Sequence, residues 1–575
     1  MKVILTGINA KYIHTNLAIR YLSEYAKDKV KSEIHLAEYT INNREEQILD
    51  ELFRKKPDVL CFSAYIWNIE MIKSLASDFK KISPKTKIIL GGPEISFEGE
   101  EFLKANPQID FLILGEGEES FKELILALEN GSSLDELRKI KGLCFRSEET
   151  GRIIKTQPRE PFPMEKLPFP YPDIDSLEGK ILYFETQRGC PFRCSYCLSS
   201  VSRRVRLMPM DMVKERLKIF LDHKVKQVKL VDRTFNADKN HALEIWKFLK
   251  ENDNGITNFH FEITANILTD EAIEFLSTVR PELFQLEIGV QSTNEQTLKA
   301  ISRSPQTKKL LEICKKLDEP KNIHRHLDLI AGLPLEDFAS FRKSFNEVFG
   351  AKPQQLQLGF LKVLKGSKMY NDANEYGILY KCKPPYEVLK TDCLSYDEVL
   401  ELKGACEMVE SYYNSGRYGY TLSKLLESEP SPFDFFLELG KFYIKSGYHL
   451  KANTKEAMHQ ILKDFFESKY KAYDEELLAR SLFDICLHEK PKKLPTFLSS
   501  YAQSSREERD KITELFKDRE RFMALIPDAE EDDIRLSSRA YHIESFFANG
   551  KARYVIFNYL KRDLLGNATF KEISL

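Results

Sequence analysis

Glu185-Thr186-Gln187-Arg188-Gly189-Cys190-Pro191-Phe192-Arg193-Cys194-Ser195-Tyr196-Cys197 is the stretch from which the rest of the chain can be read. Its cysteines are spaced C-x-x-x-C-x-x-C, with an aromatic directly before the last. Three thiolates can hold three irons of a 4Fe–4S cluster and leave the fourth iron open to a reactant, whereas a fourth thiolate closes the cluster into an electron carrier. Zinc is the competing metal, but structural zinc takes four ligands, commonly as two pairs. No second pair lies near these cysteines.

Downstream, a strand-then-helix pattern repeats six times, with strands expected at 182–187, 225–232, 258–264, 284–290, 324–330 and 354–360. Several of these strands alternate strictly. His260 and Glu262 share a face, as do Glu287, Gly289 and Gln291, then His324, His326 and Asp328, then Gln355, Gln357 and Gly359. Phe259, Phe261, Leu286, Ile288, Leu327, Leu329, Leu356 and Leu358 take the other face. A parallel sheet covered on both sides reads as continuously apolar. A polar stripe on successive strands predicts instead a lumen that holds a polar ligand, with reactive groups at the carboxyl ends of the strands.

The cysteine motif with Tyr196, followed by this six-fold repeat, resembles the radical S-adenosylmethionine family and its partial (β/α)6 barrel. The resemblance implies that Cys190, Cys194 and Cys197 ligate the cluster and that its open iron chelates the amino and carboxylate groups of S-adenosylmethionine. One electron then cleaves the sulfonium to a 5′-deoxyadenosyl radical. By the same resemblance Tyr196 packs near adenine and Glu262 binds ribose hydroxyls, a task that suits a carboxylate because it accepts two hydrogen bonds. The alternative for Glu262 is a pair with His260 inside a structural core. Asp232 and Gln291 stand at strand ends where S-adenosylmethionine contacts are expected. Gly332, in the turn Asp328-Leu329-Ile330-Ala331-Gly332-Leu333-Pro334, resembles the family's late-strand turn near adenine. One of Arg203, Arg204 and Arg206 is a candidate partner for the methionyl carboxylate or an anionic substrate; a solvated basic turn is the alternative.

Upstream, residues 1–135 alternate strands at Val3–Gly7, Ile34–Tyr39, Val59–Ser63, Lys87–Gly91 and Phe111–Leu114 with amphipathic stretches near 15–27, 44–56, 69–82 and 118–129. This order predicts a doubly wound parallel sheet with ligands at its carboxyl edge. There stand Ser63, Tyr65, Trp67 and Asn68 after the third strand, Gly91 and Gly92 after the fourth, and Gly115 and Gly117 after the fifth. These turns together resemble the cobalamin-binding domain that precedes many radical enzymes, and the resemblance implies that those eight residues line cobalamin. Cobalamin domains that use a histidine as lower ligand carry D-x-H-x-x-G after the first strand. Here the loop reads Gly7-Ile8-Asn9-Ala10-Lys11-Tyr12-Ile13-His14, so no protein histidine is expected on cobalt.

Residues 136–180 read as a connector: a hairpin of Gly142–Arg146 and Arg152–Thr156, then a Pro-rich linker from Pro158 to Pro172. Residues 181–375 hold the barrel pattern, and 376–575 are expected to form a mainly helical domain. Its helical stretches fall at 396–414, 433–446, 455–489 and 506–518, with one possible strand at Tyr554–Asn558. This part resembles the helical C-terminal domain of unassigned function on some cobalamin-dependent radical enzymes. The fold class is therefore α/β: a Rossmann-like cobalamin domain, a partial barrel and a helical C-terminal domain.

A net charge of −2 on 575 residues gives no reason to expect nucleic acid or an acidic membrane surface. No run approaches the ~18 apolar residues that suggest a membrane span. Of ten cysteines, seven are scattered singly, and Cys61, Cys144, Cys314 and Cys486 read as buried thiols. That usage points to a reducing compartment, and an exposed cluster demands low oxygen; a cytoplasmic, anaerobic setting is expected. Cys382, Cys393 and Cys406 are too loosely spaced to suggest a second cluster. The combined resemblance implies a cobalamin-dependent radical S-adenosylmethionine enzyme, foremost a C-methyltransferase acting on an unactivated carbon of a small-molecule or metabolite substrate. Its electron donor would be a low-potential protein of flavodoxin or ferredoxin type. An oxidative cyclase or rearrangement enzyme without net methylation, like the anaerobic porphyrin monomethyl ester cyclase, is the alternative. A transfer-RNA methylthiotransferase fits less well, since residues 1–135 hold only Cys61, and a cobalamin- or redox-sensing protein has no need of an open iron.

Overall fold

The computed structural model describes residues 1–147, 149–427, 429–469, 473–499, 501–502, 506–525, 540–548, 551–563 and 566–574. The chain divides into two compact units: one takes residues 1–325, 332–337 and 360–395, the other 326–331, 338–359 and 396–575.

The first unit opens with β1 (Lys2–Asn9), α1 (Leu17–Ala26), β2 (Glu33–Thr40), α2 (Glu45–Arg54), β3 (Val59–Ser63), α3 (Ile69–Ile82), β4 (Lys87–Gly91), α4 (Gly99–Ala105), β5 (Phe111–Ile113) and α5 (Glu118–Glu129). The five strands are parallel, in the order β2-β1-β3-β4-β5. Side-chain alternation sorts the apolar residues onto two faces. Ile4, Leu60, Phe62, Ile88 and Leu90 pack with Ile48, Ile72, Phe79 and Leu103 of α2, α3 and α4. Val3, Leu5, Val59, Cys61 and Ile89 pack with Ile19, Phe121 and Leu124 of α1 and α5. Burying both faces leaves the carboxyl edge of the sheet as the place for polar groups.

After a short α6 (Leu134–Leu137), the expected hairpin is present as β6 (Leu143–Arg146) and β7 (Ile153–Lys155). It is not a free connector, because β6 pairs antiparallel with β5 and lengthens the sheet to seven strands. Leu143 and Phe145 are fully buried, and an isolated two-stranded hairpin could not hide them.

The barrel pattern follows as β8 (Ile181–Phe184), β9 (Gln187–Arg188), β10 (Arg206–Leu207), α7 (Met210–Asp222), β11 (Gln227–Leu230), α8 (Lys239–Glu251), β12 (Asn258–Ile263), α9 (Asp270–Ser277), β13 (Phe284–Gln291), α10 (Glu295–Ala300) and α11 (Thr307–Asp318). Strands β13, β12, β11 and β8 neighbour one another in that order, all parallel. Phe259, Phe261, Leu286 and Ile288 are fully buried, while Glu262, Glu287 and Gly289 on the opposite face stay half-buried. The boundary between the units falls within β14 (His324–Ala331). α12 (Phe338–Phe349) and most of β15 (Gln355–Phe360) belong to the second unit, where β15 neighbours β14. There Leu327, Leu329, Leu356 and Leu358 are buried and Gln357 is exposed. His326 Nε2 lies 3.2 Å from Asp328 Oδ1.

Residues 360–395 return to the first unit as α13 (Lys368–Asp372) and an antiparallel pair, β16 (Leu379–Tyr380) and β17 (Val388–Lys390). The rest of the second unit is α14 (Tyr396–Met408), continued by a π-helical turn at Val409–Asn414, then α15 (Gly419–Glu427), α16 (Pro432–Lys445), α17 (Lys455–Lys469), α18 (Glu475–His488), α19 (Arg506–Lys517) and α20 (Arg519–Leu525). It ends in β18 (Tyr541–Ala548), β19 (Lys551–Arg562) and β20 (Ala568–Ile573), an antiparallel sheet. One strand was expected where three exist. Phe546, Val555 and Phe557 of this sheet pack with Leu482 and Cys486 of α18 in one core. Among the described residues no helix is long and apolar enough to cross a membrane.

Candidate active site

Strands β9 and β10 face each other antiparallel, Arg188 opposite Arg206, and so close residues 189–205 into a loop that carries Cys190, Cys194 and Cys197. All three thiols are free; Cys190 and Cys194 are buried and Cys197 is half-buried. Backbone bonds shape the loop: Cys190 N donates to Ser202 O (3.0 Å) and Cys197 N to Cys194 O (3.1 Å). Gly189 sits so close to the returning chain that a Cβ would collide with Arg204 O. Burial pushes the Cys194 thiol up, and Arg303 opposes that shift. Arg303 Nη1 donates to Cys194 Sγ (3.7 Å) and to the Tyr196 hydroxyl (3.1 Å), and Nη2 donates to Gly289 O (2.6 Å). A buried thiol raised in this way is protonated until a metal displaces the proton. Three free thiols on one closed loop, beside a cation that favours thiolate, fit a cluster held by three cysteines.

Asp232, 1% exposed, lies at the carboxyl end of β11 and holds the start of this loop. Its Oδ1 accepts from Thr186 N (2.8 Å), Gln187 N (2.5 Å) and Thr186 Oγ1 (3.2 Å). Burial pushes its carboxyl up to about 8 against those bonds. Gln187 Nε2 donates to Thr234 O (2.6 Å), and Cys190 Sγ lies 3.5 Å from Thr234 Oγ1. Asp232 Oδ2, Gln187 Oε1, Gln291 Oε1 and Ser195 Oγ are buried without a hydrogen-bond partner among the described residues. Buried polar atoms are normally paired, so these orphans suit a polar ligand. Gln291 ends β13 at φ +70.

Glu262 and His260 do not pair with each other. Arg233 Nη1 lies 3.4 Å from either Glu262 oxygen, whereas Glu287 Oε2 takes both His260 Nε2 (2.9 Å) and Lys229 Nζ (2.9 Å). A neighbouring strand reaches His260 better than the residue two positions along its own strand. Arg203 and Arg204 are exposed. Arg206, offered by the sequence as a partner for an anionic ligand, is instead held inside the fold by Glu116 and the Phe162 carbonyl.

At the carboxyl edge of the first sheet, Tyr65 and Trp67 stack with ring centroids 4.3 Å apart and planes 7° from parallel. Trp67 is 45% exposed, and its Nε1 donates to Ile8 O (3.1 Å). Asn68 is buried and committed to the backbone: Nδ2 donates to Ile8 O (3.0 Å) and Ser63 O (2.9 Å), and Oδ1 accepts from Tyr65 N (2.8 Å). Asn68 thus shapes the loop that presents the two rings. Ser63 Oγ accepts from Asn16 Nδ2 (3.3 Å). Gly115 has φ +78 and open space where a Cβ would stand; Gly92 has φ +118 and a Cβ there would collide with Ala64 O; an added Cβ would be 3.9 Å from Ile113 at Gly91 and 3.3 Å from Leu22 at Gly117. The open space at Gly115 and the stack of Tyr65 with the exposed Trp67 ring form an edge suited to a large flat cofactor. His14 Nδ1 lies 2.7 Å from the Tyr183 hydroxyl, and burial lowers its pKa.

Residues 360–395 tie these pieces together. Met369 N donates to Ser195 O in the cysteine loop (2.8 Å). The Tyr386 hydroxyl donates to Glu94, the Tyr370 hydroxyl to Glu98 (3.0 Å), and Lys365 Nζ pairs with Glu98 (2.7 Å). A Cβ at Gly332 would stand 2.6 Å from Val388 Cγ1. Sequence reading missed Arg303, Thr234, Glu116 and this strap, since each reaches the site only through the tertiary fold.

Three family descriptions match the chain: B12 binding domain over residues 3–125, radical SAM superfamily over 184–348, and a protein of unknown function, DUF4080, over 374–557. The chain is 28% identical over 317 residues to 2-(S-pantetheinyl)-carbapenam-3-carboxylate methyltransferase of Streptantibioticus cattleyicolor, covering 51% of this chain and 45% of that protein. It is 27% identical over 320 residues to the cobalamin-dependent radical SAM methyltransferase TokK of Streptomyces tokunonensis, covering 52% and 45%. The chain thus spans less than half the length of these curated relatives. The structure of the cobalamin-dependent S-adenosylmethionine radical enzyme OxsB with aqua-cobalamin bound superposes with a TM-score of 0.60 at 17% identity, over 90% of this chain and 84% of that one.

Proposed function

We propose that this chain, which joins a B12-binding domain to a radical SAM domain and is homologous to cobalamin-dependent radical SAM methyltransferases, is itself a C-methyltransferase acting on an unactivated carbon of a small-molecule substrate. The observation that carries the reading is the pairing, within one compact unit, of a closed loop bearing three free cysteines with a sheet edge that carries the Tyr65–Trp67 ring stack and open space at Gly115.

Cys190, Cys194 and Cys197 would hold a 4Fe–4S cluster; Ser63, Tyr65, Trp67, Gly91, Gly92, Gly115 and Gly117, with Asn68 fixing their loop, would hold cobalamin. When bound, these groups supply reductive cleavage of S-adenosylmethionine and a transferable methyl group. Arg303 keeps Cys194 poised for deprotonation. Asp232 orders the start of the cysteine loop, and its second oxygen, with Gln291, faces the S-adenosylmethionine site together with Tyr196, Glu262 and Gly332. The strap at 360–395 would brace the cysteine loop through Ser195 and the turn after β4 through Glu94 and Glu98. We divide the chain functionally into 1–135 for cobalamin, 136–180 for the hairpin that extends the first sheet and the Pro-rich linker, 181–375 for radical chemistry and 376–575 as a mainly helical C-terminal domain. The setting is cytoplasmic and anaerobic, with an electron donor of flavodoxin or ferredoxin type.

The test is anaerobic reconstitution with hydroxocobalamin, then mass spectrometry of products from candidate metabolites. A product heavier by one methylene unit is expected. A product lighter by hydrogen would assign the chain to oxidative cyclisation. Failure to cleave S-adenosylmethionine under reduction would leave a binding protein.

A further inference from the structure

We propose that Glu116 couples the cobalamin site to the cluster site, so that occupancy of either tightens the other. The inference rests on the assignment of those two sites above.

Glu116 stands between Gly115 and Gly117 in the turn from β5 to α5. The backbone of this turn borders open space: nothing lies within 4 Å of where a Cβ on Gly115 would be. Its one long side chain reaches the base of the cysteine loop. Glu116 Oε2 accepts from Phe162 N (2.7 Å), Arg188 Nη1 (3.2 Å) and Arg206 Nη1 (3.2 Å), and Oε1 pairs with Arg206 Nη2. Arg188 and Arg206 are the facing residues of β9 and β10. One carboxylate therefore bridges both strands at the base of the loop that carries the three cysteines.

The bridge is built to be stiff. The side chains of Arg188 and Arg206 are only 15% and 13% exposed. Arg188 is also bound by Glu118 Oε1 (2.6 Å) and Glu185 Oε1 (2.7 Å), so its position follows the start of α5. Burial raises the Glu116 pKa, but the Arg206 hydrogen bond and the Arg188 charge hold it below the usual carboxylate range. Breaking the bridge would strip Arg206, 13% exposed at its side chain, of its Glu116 carboxylate, at a cost that exceeds the worth of a surface pair. A displacement of the 115–117 backbone by a ligand must then drag the hairpin base with it or break the bridge. Coupling of this kind is reciprocal in binding free energy.

The experiment titrates hydroxocobalamin into the full-length chain with its cluster reconstituted and after the iron has been stripped, for wild type, Glu116→Gln and Arg206→Gln. Wild type should bind cobalamin at least about 5-fold more tightly with the cluster present, the lower end of ordinary allosteric coupling. In both variants that ratio should fall toward one. A wild-type ratio of one overturns the inference without any variant, and so does a variant that weakens both forms equally, since that is what a merely structural residue does. Absence of cobalamin binding in every form would instead overturn the site assignment itself, and the coupling with it.

Discussion

Arg303 donates to the Sγ of Cys194 across 3.7 Å from a position 109 residues further along the chain. The guanidinium thus sets a fixed positive charge and a hydrogen bond on one of three candidate cluster ligands. Net charge and hydrogen bonds to sulfur are main determinants of cluster potential. Arg303→Gln should make the cluster harder to reduce, moving its midpoint to lower potential in a titration followed by electron paramagnetic resonance. An unmoved midpoint would mean that the guanidinium does not sense the cluster.

Anaerobically prepared wild type should contain about four irons and four sulfides per chain. Replacing Cys190, Cys194 and Cys197 together by Ala should remove them and abolish 5′-deoxyadenosine formation. A triple variant that keeps its iron and still cleaves S-adenosylmethionine would sink the reading.

Two glycines of the first sheet should respond differently to alanine. At Gly92 the left-handed backbone and the collision with Ala64 O act together, so Gly92→Ala should lower stability by about 2 kcal/mol or more. At Gly115 only the backbone preference is lost, about 1 kcal/mol, but the new methyl enters the open space. Urea unfolding and cobalamin titration separate the effects: Gly115→Ala should lose affinity out of proportion to stability. Normal affinity there would remove the turn from the cofactor site.

Glu262→Ala should leave the cluster intact and weaken S-adenosylmethionine binding by roughly 1.5–3 kcal/mol, the scale of a hydrogen bond to a charged group. Its partner Arg233 is 58% exposed at the side chain, and an ion pair so open to solvent adds little stability. Thermal midpoint should therefore change little. Unchanged affinity in calorimetry would end the ribose assignment.

Asp232 makes stability depend on pH. Its folded pKa, about 8, lies above the unfolded value of about 3.9, so between these values the folded chain binds the extra proton. Stability contributed by this group is full below about pH 4 and is lost as pH rises through about 8. Asp232→Asn keeps an acceptor for Thr186 and Gln187 without a charge. It should flatten the slope between pH 6 and 8 in denaturant titrations, and an equal slope in both proteins would contradict the buried-acid account.

Alternation made the sheets legible. Val59–Ser63 and Lys87–Gly91 lie where the apolar runs put them, because strands buried on both faces leave a continuous signal. The hairpin at 143–155 was visible as a hairpin, but not as part of the sheet, since pairing partners leave no local trace. In the C-terminal domain Tyr541–Ala548 alternates only through Glu544 and then breaks step at Ser545-Phe546-Phe547-Ala548, which leaves too short a period-two run to stand out. The cysteine triplet was legible because its ligands are close in sequence. Arg303 and Glu116 were not, because their partners are brought close only by the fold.

The strap over Gly332, Ser195, Glu94 and Glu98 also has a practical reading for anyone dissecting the chain. A fragment cut after Phe360, at the last barrel strand, would lose Lys365, Met369, Tyr370, Tyr386 and Val388 at once. Both the cysteine loop and the 92–98 turn would then shed their cover. The smallest piece that can stand for the proposed reacting half of this protein must therefore run to about residue 395, 35 residues beyond the point where strand counting would stop.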